Sequence, residues 1–184
     1  MKPKYRMWMW MAMIGGGMAV SVYLDLLYFR SWFLSWKFHL LTFLPGWALF
    51  NVVRRISRNT GRTLARYGRQ GDIPRFETNV LVDRGPYAYM RHPMHLGLLF
   101  FPMSIALMAG SPVFIFFVAP LEALLMLILI KYVEEPEALK KFGAAYKEYS
   151  RSRPWFCFRP RCIKSLLEDV PAAGTGSPFM KGCR

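Results

Sequence analysis

The chain has 184 residues, of which 54% are hydrophobic, and it carries a formal net charge of +14 at pH 7. This length allows one domain of ordinary size. A soluble nucleic-acid-binding protein can be this basic, but it does not tolerate so many long apolar runs, and that class is excluded. The apolar residues and the charges are separated along the chain, which is typical of an integral membrane protein.

Four apolar stretches follow one another along the chain. A transmembrane helix needs about 20 mostly apolar residues to cross roughly 30 Å of hydrocarbon. The second stretch reaches this length if Lys37 extends its stem to the interface. The third does so if its helix begins at Pro93, a residue suited to a first helical turn. We therefore predict an all-α membrane protein with about four spans, at residues 8–28, 32–53, 93–110 and 112–131.

Short connections pair these spans as two hairpins. Arg30 and Ser31 separate the first two spans, and a Gly-Ser-Pro break at residues 110–112 separates the last two. The connector between the hairpins, residues 54–91, carries nine arginines against three acidic residues. Because Lys and Arg near short loops stay in the cytoplasm, we expect this connector, a C-terminal aromatic helix and both chain termini there. The first part of the connector, residues 54–69, suits a basic helix lying on anionic lipid.

The two ends of the chain require separate predictions. A cleavable signal peptide is the less favoured reading of the first apolar run, which is long and lacks a small-residue cleavage site. Residues 1–170 are predicted to form a single membrane domain, and residues 171–184 a flexible tail. Cys157, Cys162 and Cys183 show neither paired metal spacing nor a disulfide framework, so free thiols are expected.

Two acidic residues lie inside predicted spans, where a charge is costly. We expect Asp25 and Glu122 to face the interior of the bundle or to lie near an interface. Asp25 is close to the outer end of its span and can be hydrated there. Glu122 is nearer the middle of the membrane, where it either pairs with Lys37 or His39 or binds an acceptor.

Two polar segments, residues 78–97 and 131–160, border the predicted spans. In the first, an extended run at residues 80–82 and a Gly-Pro turn precede a helix N-terminus that could hold an anion. The alternative is that this segment is only an interfacial aromatic belt. In the second, Glu134 and Glu135 are adjacent acidic residues in a strongly basic protein. Considered alone, they are best interpreted as ion-pair partners of nearby arginines. An apolar-aromatic stripe at helical spacing, interpreted as packing, follows at Leu139, Phe142, Tyr146 and Tyr149.

Taken together, the two segments resemble the isoprenylcysteine carboxyl methyltransferase family and its phospholipid methyltransferase-like relatives. The resemblance covers roughly the second half of the chain, residues 78–160. Each short motif is weak alone, whereas their order, spacing and position around an apolar hairpin make the joint match specific. It rests on Gly85, Pro86, Tyr87, Arg91, His92, Pro93 and Gly97 in the first segment and on Glu134, Glu135, Phe142, Gly143, Tyr146, Tyr149, Arg153, Pro154 and Trp155 in the second.

The resemblance implies that S-adenosylmethionine (SAM) binds at the cytoplasmic membrane face, in a pocket closed by the C-terminal segment. A carboxylate can hold the cationic end of SAM, while helix N–H groups or Arg91 can hold its carboxylate. Methyl transfer needs positioning and a dry pocket more than a general acid or base, and no catalytic residue is assigned. The implied cofactor contacts are Asn79, Val80, Leu81, Val82, Tyr87, Arg91, His92, Pro93, Met94, His95, Glu134 and Glu135.

The sequence departs from the family pattern at two positions. Family members that methylate a prenylated cysteine carry an arginine one helical turn before the acidic pair, where this chain has Ile130. Lys131 is adjacent and is a candidate substrate-binding residue, but a helix turns about 100° per residue and Lys lacks the guanidinium fork. His95 also replaces a tyrosine that is usual in the family. These departures weaken a prenylcysteine substrate and leave the cofactor prediction standing.

The expected activity is SAM-dependent methyl transfer to a lipophilic or small-molecule acceptor, through a carboxylate, a thiol or an amine. The expected partners are the lipid bilayer and that acceptor, with neither nucleic acid nor a metal ion. Two alternatives stay open. One is a non-catalytic membrane subunit that binds anionic lipid or a protein partner through the basic connector. The other is an NADPH-dependent membrane reductase of related fold.

Overall fold

The computed structural model describes residues 3–74 and 77–168, and within these ranges the chain forms helices and loops without a β-strand. The predicted all-helical class is confirmed. The predicted tail, residues 171–184, lies outside the described residues. The helices are α1 (Pro3–Tyr28), α2 (Arg30–Phe33), α3 (Trp36–Tyr67), α4 (Pro93–Ala109), α5 (Ala119–Leu129), α6 (Glu135–Ser152) and α7 (Pro160–Leu167).

α5 and α6 belong to one long helical rod. π-Helical turns at Phe114–Val118 and Ile130–Glu134 flank α5, and helical residues run from 114 to 152 with one kink, at Gly143. The rod is therefore about twice as long as the span predicted at residues 112–131. Within α6 the backbone leaves helical values at Gly143, which has φ of 59° and ψ of −130°. Because L-residues avoid this conformation, a glycine is required at the kink.

α3 is also longer than the predicted span at residues 32–53. Its 32 residues extend about 48 Å at 1.5 Å per residue, more than the hydrocarbon core requires. The basic helix expected over residues 54–69 is present as far as Tyr67, where it continues α3 without a break, and its position on anionic lipid stays a prediction. One face of this extension is buried, and there the amide of Asn59 donates to the carbonyl oxygens of Leu166 and Glu168, both at 3.1 Å.

α3 and α4 pack as an antiparallel pair, and glycines allow their backbones to approach. A Cβ atom on Gly46 would lie 2.7 Å from the backbone nitrogen of Met108. At the other end of the pair, a Cβ atom on Gly97 would lie 3.2 Å from Cγ2 of Ile56. Early α3 therefore meets late α4, and late α3 meets early α4. This pairing brings the basic end of α3 to the beginning of α4.

α1 packs against the start of the long rod through polar and small residues. Asp25 is fully buried, accepts a hydrogen bond from the Ser111 hydroxyl and accepts a second, at 2.9 Å, from the N–H of Val113. Asp25 thus faces the interior as expected, and the hydrated alternative is wrong. A Cβ atom on Gly17 would lie 3.0 Å from a carboxylate oxygen of Glu122, so the two helices are in direct contact there.

Glu122 does not make the pairs proposed for it. It is 3% exposed, and neither carboxylate oxygen has a hydrogen-bond partner within the described residues. His39 instead donates to the carbonyl oxygen of Phe33 at 2.5 Å, and the ammonium group of Lys37 lies 6.0 Å from the Trp36 ring. Glu122 therefore faces the bundle interior without a countercharge from either predicted partner.

Among the residues that the structure describes, two helices are long and apolar enough to cross a membrane, at Trp8–Tyr28 and within Phe114–Ser152, and Pro93–Ala109 is a shorter apolar helix. Only 11% of the first helix's apolar window is buried inside the protein. An apolar helix with exposed side chains suits solvation by lipid better than a water-facing position. Together with the family evidence below, this supports a membrane protein. The four-span arrangement stays a prediction.

A disulfide joins the segment after α6 to α7. Cys157 and Cys162 are bonded, with Cα atoms 5.9 Å apart, so the expectation of free thiols is wrong for this pair. The first turn of α7 brings the two residues together, which their spacing alone did not indicate. Cys162 is buried in a cluster with Met90 and Leu96 beside the start of α4. Cys183 lies outside the described residues.

Candidate active site

The N-terminus of α4 is the centre of the candidate site. His92 precedes the helix and Pro93 is its first residue, a position where the missing proline N–H costs nothing. The first helical hydrogen bond of α4 runs from the N–H of Leu96 to the carbonyl oxygen of His92, at 3.1 Å. The N–H groups of Met94 and His95 therefore have no intrahelical acceptor and point out of the helix end.

Glu135 is held by three side chains. Nη1 of Arg91 lies 2.5 Å from one carboxylate oxygen, and Nε2 of His92 lies 2.5 Å from the other. The hydroxyl of Tyr146, eleven residues later in α6, donates to that second oxygen at 2.9 Å. The Arg91 and Glu135 side chains are 14% and 19% exposed, so the ion pair is largely shielded from water. Glu135 thus joins α6 to the start of α4 and accepts from three side-chain donors.

Glu134 occupies a different position from its neighbour. Its carboxylate lies 3.7 Å from Nε2 of His95, a distance that places the two groups together without a direct hydrogen bond. The His92 and His95 rings meet edge to face, with centroids 5.4 Å apart. The acidic pair is therefore divided, with Glu135 fixed by three donors and Glu134 beside the side chain of His95 in the first turn of α4.

The segment after α6 covers this cluster. The N–H of Arg91 donates to the carbonyl of Pro154 at 2.9 Å, and the N–H of His92 donates to that of Trp155 at 3.2 Å. The Trp155 ring lies edge to face against His92, at 6.2 Å, and 5.8 Å from the Arg91 guanidinium carbon. These backbone bonds fix the indole over the cluster and limit the access of water. The resemblance implied such a covering C-terminal segment.

Tyr149 anchors the loop that leads into α4. Its buried hydroxyl donates to the carbonyl oxygens of Tyr87 and Met90, at 2.7 and 3.1 Å. The loop begins at Gly85, whose φ of 58° starts a 3₁₀ turn over Gly85–Ala88. The left-handed conformation explains the glycine, and the tyrosine bonds explain how a loop remote in sequence is held against α6.

Burial sets the protonation of the cluster. It lowers the pKa of His92 below its ordinary value, although the bond to Glu135 acts in the opposite direction. The imidazole is therefore taken as neutral, with its Nε2–H donating to the carboxylate. Burial, together with the bond to Glu135, also raises the pKa of Tyr146, which keeps that phenol protonated and able to donate.

The predicted residues at 79–82 belong to a second feature. Both polar atoms of the Asn79 side chain are bonded to the backbone of Gln70, at 2.7 and 2.8 Å. Residues 80–84 and residues of the turn after α3 line a cleft of about 320 Å³, and its lining does not include the histidine–glutamate cluster. The structure thus divides the predicted cofactor residues into two groups.

The other predicted residues are placed as follows. Tyr87 is buried, so its ring offers little surface to a ligand. Lys131 is exposed and lies over the Tyr132 ring at 5.4 Å, while Ile130, where the family arginine is missing, is fully buried. Tyr146 and Tyr149 were interpreted as packing, but their hydroxyls also donate hydrogen bonds, that of Tyr146 to Glu135 and that of Tyr149 to the loop before α4. Leu139, from the same predicted stripe, is exposed, since the Gly143 kink intervenes.

The cluster can hold a cation. The carboxylates of Glu134 and Glu135 face one guanidinium, that of Arg91, so these three groups together carry one net negative charge at the N-terminal end of α4. Such a site can bind a small molecule that has both a cationic group and a carboxylate.

A model of the phospholipid methyltransferase family matches residues 40–145. No curated protein and no solved structure matches the chain. The matched region begins within α3, well before the segment that showed the resemblance, and it includes the start of α4 and both glutamates. The membrane methyltransferase resemblance is thus confirmed, and it extends into the first half of the sequence. The chain belongs to the phospholipid methyltransferase family.

Proposed function

We propose that this protein transfers a methyl group from SAM to a lipid-borne amine at the membrane surface. The observation that carries the proposal is the division of the acidic pair. Glu135 is held by Arg91, His92 and Tyr146, which fixes the site, whereas Glu134 lies beside His95 at the start of α4.

The residues of the cluster fit SAM. This cofactor supplies a methyl group carried on a sulfonium, and its sulfonium, ammonium and carboxylate together give one net positive charge. The net negative charge of the cluster complements it. The Glu134 carboxylate suits the ammonium or sulfonium, and the N–H groups of Met94 and His95 suit the carboxylate. The Trp155 face suits a sulfonium or an adenine ring.

An amine acceptor agrees best with the residues around the cluster. A carboxylate acceptor needs a cation, and the position where prenylcysteine methyltransferases carry an arginine holds the buried Ile130. Lys131 is exposed and lies against Tyr132. In the reaction, the amine nitrogen forms a bond to the methyl carbon as the carbon–sulfur bond breaks, and the amine loses one proton. The family description points to a phospholipid head group as the carrier of that amine.

The proposed membrane arrangement has four spans and places the site at the cytoplasmic face. α1 with the first half of α3 forms one hairpin, and α4 with the first half of the long rod forms the other. The basic end of α3, the connector and α6 then lie on one side. Their excess of arginine supports the cytoplasmic assignment for that side and for both termini.

Calorimetric titration of the detergent-purified chain with SAM and with its demethylated product tests the proposal. We expect both to bind, and Glu134→Gln to weaken binding about tenfold or more, since a charged contact is lost. Glu148→Gln changes an exposed acid on the same helix and should leave binding unchanged. A folded protein that binds neither ligand would instead support the non-catalytic subunit. Oxidation of added NADPH would support the reductase.

A further inference from the structure

A groove of about 250 Å³ runs between α3 and the first half of α4. Four apolar side chains and two polar ones line it, namely Phe50, Val53, Leu98 and Phe101, with Arg54 and Ser57. The rings of Phe50, from α3, and Phe101, from α4, have centroids 6.2 Å apart and join the two helices at the apolar end. The groove is therefore apolar along most of its length and polar at one end.

The polar end lies where α3 changes from apolar to basic. Before Arg54, Lys37 is the only Lys, Arg, Asp or Glu residue of α3, and five arginines follow between Arg54 and the end of the helix. Such a change marks the boundary between the hydrocarbon of a bilayer and its head groups. The Ser57 hydroxyl faces α4 at this level, since a Cβ atom on Gly97 would lie 3.0 Å from its oxygen. The groove thus crosses the depth at which a phospholipid joins its acyl chains to its phosphate.

Arg54 gives the polar end a positive charge. Its side chain is exposed, and its Nη2 donates to the side-chain oxygen of Asn51 at 3.4 Å. An amide carries no charge, so this contact does not neutralise the guanidinium, and none of the described residues that line the groove is acidic. Guanidinium groups bind phosphate oxygens through charge-assisted hydrogen bonds. The charge of the groove therefore complements a phospholipid phosphate.

The groove leads towards the candidate active site. Leu98 is three residues after His95, and residues at this spacing are neighbours on a helix surface. His95 in turn lies 3.7 Å from Glu134. Along α4, the order Phe101, Leu98, His95 therefore runs from the apolar end of the groove to the acidic cluster.

We propose that this groove binds the phospholipid that accepts the methyl group. An acyl chain lies against Phe50 and Phe101, the phosphate contacts Arg54, and the amine extends along α4 towards Glu134. The role of the lipid as acceptor rests on the proposed function, whereas its binding depends on the groove's own residues. Phosphatidylethanolamine has the required phosphate and primary amine.

The test is photo-crosslinking of the purified full chain in mixed micelles, without SAM. The probe is phosphatidylethanolamine that carries a photoreactive diazirine in one acyl chain, and mass spectrometry identifies the labelled peptides. Arg54→Gln removes the cation, and Leu98→Trp fills the groove. The matched controls are Arg58→Gln on α3 and Phe100→Trp on α4, because both residues are exposed and neither lines the groove.

We expect label in the peptides that contain Phe50 or Phe101. Arg54→Gln and Leu98→Trp should raise the lipid fraction needed for half-maximal labelling about tenfold or more, and the controls should label as the parent does. Unlabelled phosphatidylethanolamine should compete with the probe, and diacylglycerol, which lacks the phosphate, should compete poorly. The proposal is overturned if the label falls outside the groove, if the groove variants label as the parent does, or if diacylglycerol competes equally well.

Two further measurements separate this proposal from the proposed function. Titration with SAM should give the same affinity for all four variants, which also shows that they are folded. Labelling of the groove in a protein that transfers no methyl group would support the lipid site and refute the proposed function. Methyl transfer with the same KM for the lipid in Arg54→Gln as in the parent would refute the groove as the acceptor site and leave the proposed function standing.

Discussion

Glu134 and Glu135 are adjacent in sequence, yet the structure predicts that their removal has opposite consequences. Glu135→Gln keeps the shape of the side chain and removes its charge. The Arg91 guanidinium then loses its ion pair, and the carboxylate oxygens that accept from His92 and Tyr146 become a neutral amide. Glu134→Gln removes a charge from a side chain whose contact with His95 is 3.7 Å long.

The magnitudes follow from burial. Breaking a fully buried ion pair costs about 3–5 kcal/mol of unfolding free energy. The Arg91 and Glu135 side chains are 14% and 19% exposed, so we expect about 2–4 kcal/mol for Glu135→Gln. For a chain of 184 residues this lowers Tm by roughly 5–15 °C. The more exposed pair of Glu134 with His95 contributes about 1 kcal/mol or less, a Tm change below about 4 °C.

The assay combines thermal unfolding, followed by tryptophan fluorescence in one detergent, with titration of SAM. Glu135→Gln should show the large fall in Tm. Glu134→Gln should keep Tm near that of the parent and lose most SAM binding. Equal Tm losses in the two variants, or an unchanged Tm in Glu135→Gln, would refute the division of roles between the two glutamates.

Three further predictions concern packing, the disulfide and pH. Gly46→Ala should lower Tm, because overpacking costs about 1–3 kcal/mol of unfolding free energy. Gly61→Ala, where a Cβ atom meets nothing within 4 Å, should leave Tm unchanged or raise it. Equal effects of the two substitutions would contradict the close approach of α3 to α4. In the unfolded, non-reduced protein, maleimide should label two fewer cysteines than after reduction, because Cys157 and Cys162 are bonded; equal labelling would contradict the bond. Because the pKa of His92 is lower in the folded protein than its value of about 6.5 in the unfolded chain, protonation below that pH favours the unfolded chain. Tm should therefore fall as pH drops below about 6.5, and His92→Gln should make that fall shallower. An unchanged slope would contradict a neutral His92.

Local patterns in the sequence were sufficient for the helical class, whereas the packing of α3 against α4, across the two predicted hairpins, was not predicted. The Gly-Ser-Pro break forms the tight turn between α4 and the long rod, and Pro93 begins α4 as expected. Both features depend on the conformational preferences of single residues, which are visible without tertiary information. The length of α3 was underestimated because the span at residues 32–53 and the basic helix at residues 54–69 were treated as two elements. Arg is a good helix former, and no residue in that region breaks the helix.

The contacts that define the site could not be obtained from local pattern. Glu135 was named as a cofactor residue, but two of its three donors, Arg91 and His92, reach it only because α6 packs against the start of α4. Asn79 was expected to touch the cofactor, yet its short-range bonds to Gln70 occupy both polar atoms. Partner choice of this kind depends on which acceptors the fold places within about 3 Å.

Asp25 illustrates a prediction that was right in direction and incomplete in detail. The cost of a charge in lipid required it to face the bundle or an interface. Its specific partners, the Ser111 hydroxyl and the Val113 N–H, follow from the position of α1 beside the turn after α4. A sequence alone does not contain that helix packing.

The most direct test of the proposed function is transfer of radiolabelled methyl groups from SAM in liposomes that contain the purified chain and phosphatidylethanolamine. We predict label in the organic-extractable lipid fraction for the parent protein. Glu134→Gln should reduce it strongly, and Glu148→Gln should leave it unchanged. Absence of labelled lipid from a folded preparation that binds SAM would contradict methyl transfer to a phospholipid amine.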